Sequence, residues 1–304
     1  MLILIPGITG LVGQAVAQHA LSQGHEVRGL GRNPKNLDSG LASRIESFVT
    51  CSDYFDSLSL AKAVKGVDAV ISALPPVTSI VGAAQLALLL AAEKAGVKIF
   101  HAASWNMDWT KIEMGEHESY DAYKAFKRLA EVSSRLKPIY GFTGGIVEYM
   151  LVNIAAAGRP TLINKETQSL FHFGTGNEEF NFITVDDLAK YTLAAITDDE
   201  IISRGFYYVD SFRCSFREFA QVYGRMRGYE VKLVCLGDMA DVEAQLAKAR
   251  QEISPVELNK YIDLAYARLI LDGKSLSDSR DCERWADRIS PTGLEEWLKD
   301  HPSA

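Results

Sequence analysis

Three glycines at a spacing of three, placed directly after a compact apolar run, constrain this chain more than any other feature. Residues 2–5, Leu-Ile-Leu-Ile, read as a buried strand, and Gly7-Ile8-Thr9-Gly10-Leu11-Val12-Gly13 leads from it into a helix predicted over residues 11–23. In that strand–turn–helix context each glycine has a task. Gly7 permits the tight turn, Gly10 lets the backbone approach a pyrophosphate, and Gly13 lets the helix lie close on the sheet. The helix N-terminus adds N–H groups and a positive dipole end. Gly7, Ile8, Thr9, Gly10, Leu11, Val12 and Gly13 are therefore the expected phosphate contacts of a dinucleotide.

The rest of the first half continues the same rhythm. Further strands are predicted at 26–30, 45–50, 69–73, 97–102 and 139–143, and helices at 58–64, 81–95 and 117–136. Short apolar runs alternating with helices imply a parallel sheet covered on both faces, an α/β doubly wound fold of the Rossmann type. The second half is richer in helices, predicted at 215–227, 239–253, 255–271 and 292–299, with isolated strands at 170–173, 181–183, 205–209 and 231–235. Ser254-Pro255 and Ser290-Pro291-Thr292 are helix-start signals. With no low-complexity linker, the expected organisation is a dinucleotide-binding domain over 1–150, with return segments near 181–209, interleaved with a smaller, mostly helical substrate lobe over 151–304.

Composition serves mainly to exclude. The 304 residues, 47% hydrophobic and 23% charged, make one large domain or two fused lobes. A net charge of −7 argues against direct nucleic-acid binding. The four cysteines, at 51, 214, 235 and 282, form no CxxC, so neither a disulfide framework nor a zinc site is expected. No other His, Asp or Glu spacing suggests a metal, and no Gly-x-Ser-x-Gly elbow is present. The first residues lack a basic leader region, and the longest apolar stretch, 80–92, falls short of the ~20 residues of a membrane span. A cytoplasmic monomer or homodimer acting on a small molecule is the default expectation.

The dinucleotide is read from the end of the second strand. NAD enzymes of this type place an acid there, on the ribose 2′-hydroxyl. Here the stretch is Gly29-Leu30-Gly31-Arg32-Asn33-Pro34-Lys35, and Arg32 stands in the acid's place with Lys35 nearby. A guanidinium fork suits a 2′-phosphate, so NADP(H) is expected over NAD(H). By the same topology Ser52 and Asp53, after the third strand, and Ser72 to Pro76, after the fourth, should reach the cofactor, with Ala73 and Leu74 touching its middle.

Tyr120 and Lys124 lie four apart on a predicted helix and share a face. A lysine beside a tyrosine favours the phenolate and makes the phenol a usable proton donor or acceptor. Tyr123 and Lys127 repeat the spacing. Ala122, Phe126, Leu129 and Leu136 read as the core side, with both pairs off it, so periodicity does not choose between them. Ser104, past the fifth strand with Trp105 and Asn106 beside it, is a candidate to hydrogen-bond a substrate oxygen, the alternative being a helix or turn cap. Asp108, Glu113 and His117 read as solvated loop charges, with substrate or supporting contacts as the alternative, and His101 as a strand-end residue.

Taken together, Gly7-x-x-Gly10-x-x-Gly13, Arg32-Asn-Pro, Lys124 on a helix and the later Phe182-Ile183-Thr184-Val185-Asp186-Asp187-Leu188-Ala189 resemble the NmrA-like group of atypical short-chain dehydrogenases/reductases. That group includes relatives of isoflavone reductase and phenylcoumaran benzylic ether reductase. The resemblance spans roughly residues 1–235, more specific in its first half. It implies a Rossmann domain, a smaller C-terminal lobe and NADPH in the cleft that separates them. In the isoflavone-reductase branch the catalytic residue is a helix lysine followed by a basic stretch, a position matched by Lys124 with Lys127-Arg128 behind it. That branch does not use a YxxxK tyrosine, which makes Tyr120 a bystander there. Ala103-Ser104-Trp105-Asn106 departs from the branch's loop and leaves the substrate class open. A regulatory branch, related to the nitrogen-metabolite repression protein, binds dinucleotide but lacks the lysine.

The resemblance also places Gly144-Gly145-Ile146-Val147-Glu148-Tyr149-Met150 beside nicotinamide and substrate, with Gly144 and Ile146 toward the cofactor and Tyr149 and Met150 as pocket walls. The expectation is an NADPH-dependent reductase of secondary metabolism passing hydride to a C=C, C=N or C=O carbon of a hydrophobic small molecule. The alternatives are a non-catalytic NADP-binding redox sensor and a biosynthetic enzyme that binds NADP while cyclising or isomerising its substrate. A nucleotide-sugar epimerase would want an acid near Arg32, and none is there.

Overall fold

The computed structural model describes residues 1–75, 80–152 and 161–304; Pro76, the last residue of the stretch expected to reach the cofactor, lies outside them. In chain order the strands are β1 (Leu2–Pro6), β2 (Glu26–Gly31), β3 (Ser47–Thr50), β4 (Ala69–Ile71), β5 (Ile99–His101), β6 (Pro138–Phe142), β7 (Gly145–Ile146), β8 (Ile163–Asn164), β9 (Ser169–His172), β10 (Glu179–Ile183), β11 (Phe206–Tyr208), β12 (Phe212–Ser215) and β13 (Lys232–Cys235). The α-helices are α1 (Leu11–Ser22), α2 (Ser39–Ala42), α3 (Ser57–Ala63), α4 (Gln85–Lys94), α5 (Glu118–Ser133), α6 (Val147–Leu151), α7 (Val185–Ile196), α8 (Asp199–Arg204), α9 (Phe216–Arg227), α10 (Met239–Glu252), α11 (Ile262–Leu271) and α12 (Leu294–Asp300). They fall into two compact units. The first comprises Met1–Trp105, Ser119–Phe142 and Leu188–Tyr207; the second comprises Asn106–Glu118, Thr143–Asp187 and Tyr208–Ala304. These units divide the chain at other positions than residue 150.

The first unit is built on a seven-stranded sheet in the order β11-β6-β5-β4-β1-β2-β3. The pairings of β1 with β2 and β4, β2 with β3, β4 with β5 and β5 with β6 are parallel. Strand order 3-2-1-4-5-6 reverses direction at β1/β4, and α/β sheets of this kind take their ligands outside the carboxyl ends at such a switch point. Ile3, Leu4 and Ile5 are fully buried, as expected of a central strand covered on both faces. The isolated strand expected at 205–209 is β11, the sheet's seventh strand, joined to β6 through the Tyr140 N–H and the Gly205 carbonyl at 3.0 Å. Helices α7 and α8 were not among those expected. α8 carries a clear signal, an Asp198 side chain accepting from the Glu200 and Ile201 N–H groups.

Helix α5 corrects the face assignment. Its buried residues are Tyr120, Ala122, Tyr123, Phe126 and Ala130, while Leu129 is 42% exposed. Both tyrosines therefore lie on the core side. An aromatic ring buries more area than a leucine side chain, and the phenol tip does not keep such a ring in water.

The second unit holds two three-stranded sheets, β12-β10-β7 and β13-β9-β8, together with helices. Its core stacks Phe182 against Phe180, Phe212 and Phe219, with centroids 4.2, 5.1 and 5.4 Å away. Helix α9 starts on a capping box, Ser215 with Glu218, and α10 on another, Asp238 with Asp241. The single helix expected over 255–271 is instead a 3-10 turn, Pro255–Lys260, followed by α11, with Tyr261 non-helical at the junction. The last helix begins at Leu294 rather than at Thr292, because the Thr292 N–H and hydroxyl both bind the Asp187 carboxylate. Among the described residues no helix is long and apolar enough to cross a membrane.

Candidate dinucleotide and substrate site

The glycine turn is assembled from backbone. Gly7 sits at φ +81°, its N–H bonds the Leu30 carbonyl at 2.8 Å, and a Cβ there would overlap the Ala73 carbonyl oxygen. A Cβ on Gly13 would overlap the Gly7 carbonyl oxygen and Ile8 Cα. Gly10 differs: it is exposed, has an extended backbone and caps α1 without a side chain. The first N–H groups of a helix have no intrahelical acceptor, so α1 presents donors and its positive end at an uncovered glycine. Ile8 and Val12 are buried beneath the turn, whereas Leu11 is exposed and Thr9 half-buried. Such a cradle, closed to side chains at Gly7 and Gly13 and open at Gly10, fits a pyrophosphate.

Sequence reasoning missed Gln14. Its amide donates to the Thr9 carbonyl at 3.3 Å, and its Oε1 accepts from the Asp38 N–H at 3.0 Å. One side chain thus ties the glycine turn to the loop that carries Arg32 and Lys35. Both of those residues are exposed. Asn33 Oδ1 accepts from the Lys35 N–H at 3.1 Å and starts the turn Pro34–Asn36. Ser52 and Asp53 are exposed after β3, and the Asp53 carboxylate accepts from the Phe55 N–H at 2.7 Å. After β4, Ser72 and Leu74 are buried and Ala73 is half-buried, and the Ala73 N–H bonds the Pro6 carbonyl at 2.8 Å.

On α5 the two candidate pairs differ. Lys127 is ion-paired with Glu131 one turn on, which Arg128 also approaches. Lys124 is half-buried. Tyr120 is fully buried and Tyr123 nearly so, with their rings 6.1 Å apart edge to face. Neither phenol stands in the open position a proton donor to a diffusing substrate needs.

The end of β5 is a buried polar knot. His101 Nε2 lies 2.9 Å from the Tyr207 hydroxyl. The Trp105 indole N–H reaches Thr192 Oγ1 at 2.9 Å and the Tyr207 hydroxyl at 3.3 Å, and the indole stacks on His101 with centroids 5.0 Å apart. Burial holds the His101 imidazole neutral, with its pKa lowered to about 3. Ser104 is 1% exposed and its Oγ accepts from the Gly141 N–H at 2.9 Å, so it serves the strand junction. Gln85, also buried, accepts from the Ala103 N–H at 2.7 Å. Tyr207, Thr192 and Gln85 are far from this loop in sequence, and only the Gln85 amide inside an apolar helix hinted at a role.

In the second unit the Asn106 carbonyl accepts from the N–H groups of Thr143 and Gly144, at 2.9 and 3.3 Å. Gly144 has φ +75°, and a Cβ there would overlap the Asn181 carbonyl oxygen. Ile146 pairs with Ile183 at the start of α6, and Met150 is half-buried with its sulfur beside Gly145. Tyr149 is 43% exposed.

Two expected loop charges are not solvated. Asp108 is 2% exposed, accepts from the Tyr208 hydroxyl at 3.0 Å and caps Trp109–Lys111. His117 is fully buried edge-on to Tyr266. In each case a partner distant in sequence removes the group from water. Glu113 is exposed, as expected. Asp187, inside the Phe182–Ala189 motif, is fully buried: it accepts from Ser211 Oγ at 2.6 Å and the Thr292 N–H at 2.7 Å. Among the described residues no group of three or more His, Cys, Asp or Glu could hold a metal ion.

Comparisons with known proteins bear on this geometry. A sequence profile of the NmrA-like family matches residues 1–298. The bifunctional pinoresinol-lariciresinol reductase of Forsythia intermedia is 27% identical over 314 residues, covering 98% of this chain and 97% of the relative. A crystal structure of isoflavone reductase superposes with a TM-score of 0.76 at 20% identity, covering 99% of each chain. A structure of AtPrR2 with NADP+ and (+)pinoresinol superposes equally, at 0.76 and 22% identity, covering 98% of this chain and 97% of the other.

Proposed function

Since the chain belongs to the NmrA-like family, we propose that it is an NADPH-dependent reductase that delivers hydride to a C=C, C=N or C=O carbon of a hydrophobic, aromatic small molecule of secondary metabolism. The observation that carries this reading is the cradle at the first strand: two glycines closed to any side chain, an uncovered helix N-terminus, and an exposed Arg32 on the neighbouring loop. NADPH, when bound, would supply the hydride. The α1 N-terminus with Thr9, Gly10, Leu11 and Val12 would hold the pyrophosphate, and Arg32 with Lys35 the 2′-phosphate. Ser52 and Asp53 would border the adenine side, and Ser72 to Leu74, Gly144 and Ile146 the middle and nicotinamide side.

Lys124 is the proposed catalytic residue. Its ammonium would bind the nicotinamide ribose and donate to the acceptor's heteroatom, drawing electron density from the carbon to be reduced. With Tyr120 buried in the core, the proton at that heteroatom would come from a water ordered by Lys124. Trp105, Asn106, Tyr149 and Met150 are the proposed substrate contacts.

The test is a panel of enones, imines and aldehydes assayed for NADPH oxidation with the wild-type protein and Lys124→Ala. Oxidation lost in a variant that still binds NADPH supports the reductase. Tight NADPH binding without oxidation by any acceptor would favour the sensor, and product formed without net oxidation would favour cyclisation or isomerisation.

A further inference from the structure

We propose that Tyr54 determines cofactor specificity: its ring is a platform that holds the Arg32 guanidinium where the 2′-phosphate of NADP(H) arrives. This rests on the reading of Arg32 given above and assigns a role to a residue that reading does not contain.

Three observations carry it. First, the Arg32 guanidinium lies over the Tyr54 ring, its central carbon 5.8 Å from the centroid, within the range of a cation–π contact. Tyr54 is only 8% exposed, so the platform is part of the packed loop and not a loose surface ring. Second, among the described residues Arg32 has no carboxylate partner. Four residues earlier, on β2, Arg28 forks onto Glu46 at 2.9 and 3.0 Å and donates to the carbonyls of Ala63 and Lys65. Arg28 is held by acid and backbone, whereas Arg32 is held by Tyr54, through the ring and the phenol hydroxyl together. A guanidinium has five N–H donors, so one partner at Tyr54 leaves the others for an oxyanion.

Third, the acids closest in sequence to the platform are engaged elsewhere. Asp53 accepts from the Phe55 N–H at 2.7 Å, and Asp56 from the Ser59 N–H at 3.1 Å and the Ser59 hydroxyl at 2.7 Å. These bonds also fix the loop, whose start is pinned to β2 by the Cys51 N–H and the Gly31 carbonyl at 3.1 Å. A guanidinium restricted in this way loses less side-chain freedom when the phosphate binds.

The test is a double-mutant cycle read by calorimetry on the full chain, with 2′,5′-ADP and ADP as probes. Tyr54→Leu should weaken 2′,5′-ADP about three- to fivefold, the effect of a single cation–π contact, and leave ADP within about twofold. Tyr54→Phe, which keeps the ring but loses the hydroxyl, should weaken 2′,5′-ADP less than Tyr54→Leu and leave ADP near wild type. In an Arg32→Ala background Tyr54→Leu should have no further effect. Unchanged ADP binding shows that each variant is folded. Equal weakening of both probes, or a Tyr54→Leu effect that persists without Arg32, overturns the proposal. An Arg32→Ala protein that kept its preference for 2′,5′-ADP would remove the premise, and the proposal with it.

Discussion

His101 and Tyr207 stand 106 residues apart in sequence and share one buried hydrogen bond, imidazole Nε2 to phenol oxygen at 2.9 Å. Burial lowers the His101 pKa from 6.5 to about 3. The unfolded chain therefore takes up this proton first, and stability present above pH 6.5 drains away as pH falls toward 3. From pH 7 to pH 5 the loss attributable to His101 is about 2 kcal/mol. His25, also lowered, acts with the same sign; Glu148, raised by burial, acts with the opposite one. Glu116, lowered to about 2 chiefly by its hydrogen bond from Lys274, contributes only below its ordinary value of 4.5. Urea unfolding at both pH values should show that His101→Gln is less acid-sensitive than wild type by that margin. Identical pH dependence would mean that His101 is not held neutral.

Gly7 and Gly10 should respond differently to alanine. At Gly7 a Cβ meets the Ala73 backbone at positive φ, so Gly7→Ala should lose about 2 kcal/mol or more of stability. At Gly10 the backbone is extended and a Cβ meets only the Gly7 carbonyl oxygen at 3.3 Å, a tight contact that the turn must relax by a few tenths of an ångström, so Gly10→Ala should cost less than Gly7→Ala, about 1 kcal/mol. Its loss should be in NADPH affinity, read by fluorescence titration. A Gly10→Ala protein that bound NADPH normally would separate this glycine from the pyrophosphate.

The two lysines of α5 should separate cleanly. Lys127→Ala breaks one exposed ion pair with Glu131 and should change both stability and kcat/KM little, by under about 0.5 kcal/mol. Lys124→Ala should lower kcat/KM for the acceptor by about 100-fold or more. Tyr120→Phe, at a fully buried ring, should keep kcat within about threefold. A large kcat loss in Tyr120→Phe would restore the phenol as proton donor.

Asp187→Asn leaves one buried oxygen's partners facing an amide in place of a carboxylate. With Ser211 and Thr292 both donating to it, the expected effect is about 2–3 kcal/mol of stability, with NADPH affinity little changed. Thermal unfolding and NADPH titration on the same sample check both halves.

What the sequence disclosed, and what it hid, follows from how local each signal is. The Gly7–Gly13 turn was legible because strand, turn and helix are contiguous. The expectation of a parallel sheet was legible because apolar runs alternate with helical patterns. β11 was read as an isolated strand because its partner β6 lies more than sixty residues upstream. The α5 face is not legible from periodicity because Tyr120 and Tyr123 carry a polar tip on a ring that the core buries. The burial of Asp108 and His117 is not legible in the sequence because Tyr208 and Tyr266 are remote from them. Tyr54 and Gln14 carried no spacing signal at all, since each acts on a neighbouring loop.

The return of β11 to the main sheet sets a condition on synthesis. Once β6 has left the ribosome, its outer edge has no partner until Phe206–Tyr208 follows, about sixty residues later. At ~5–20 residues per second that edge stays open for several seconds on every nascent chain. An unpaired parallel edge is a template for another copy. Yield should therefore depend on translation rate and chaperone capacity, and a fragment ending near residue 150 should aggregate where the whole chain does not.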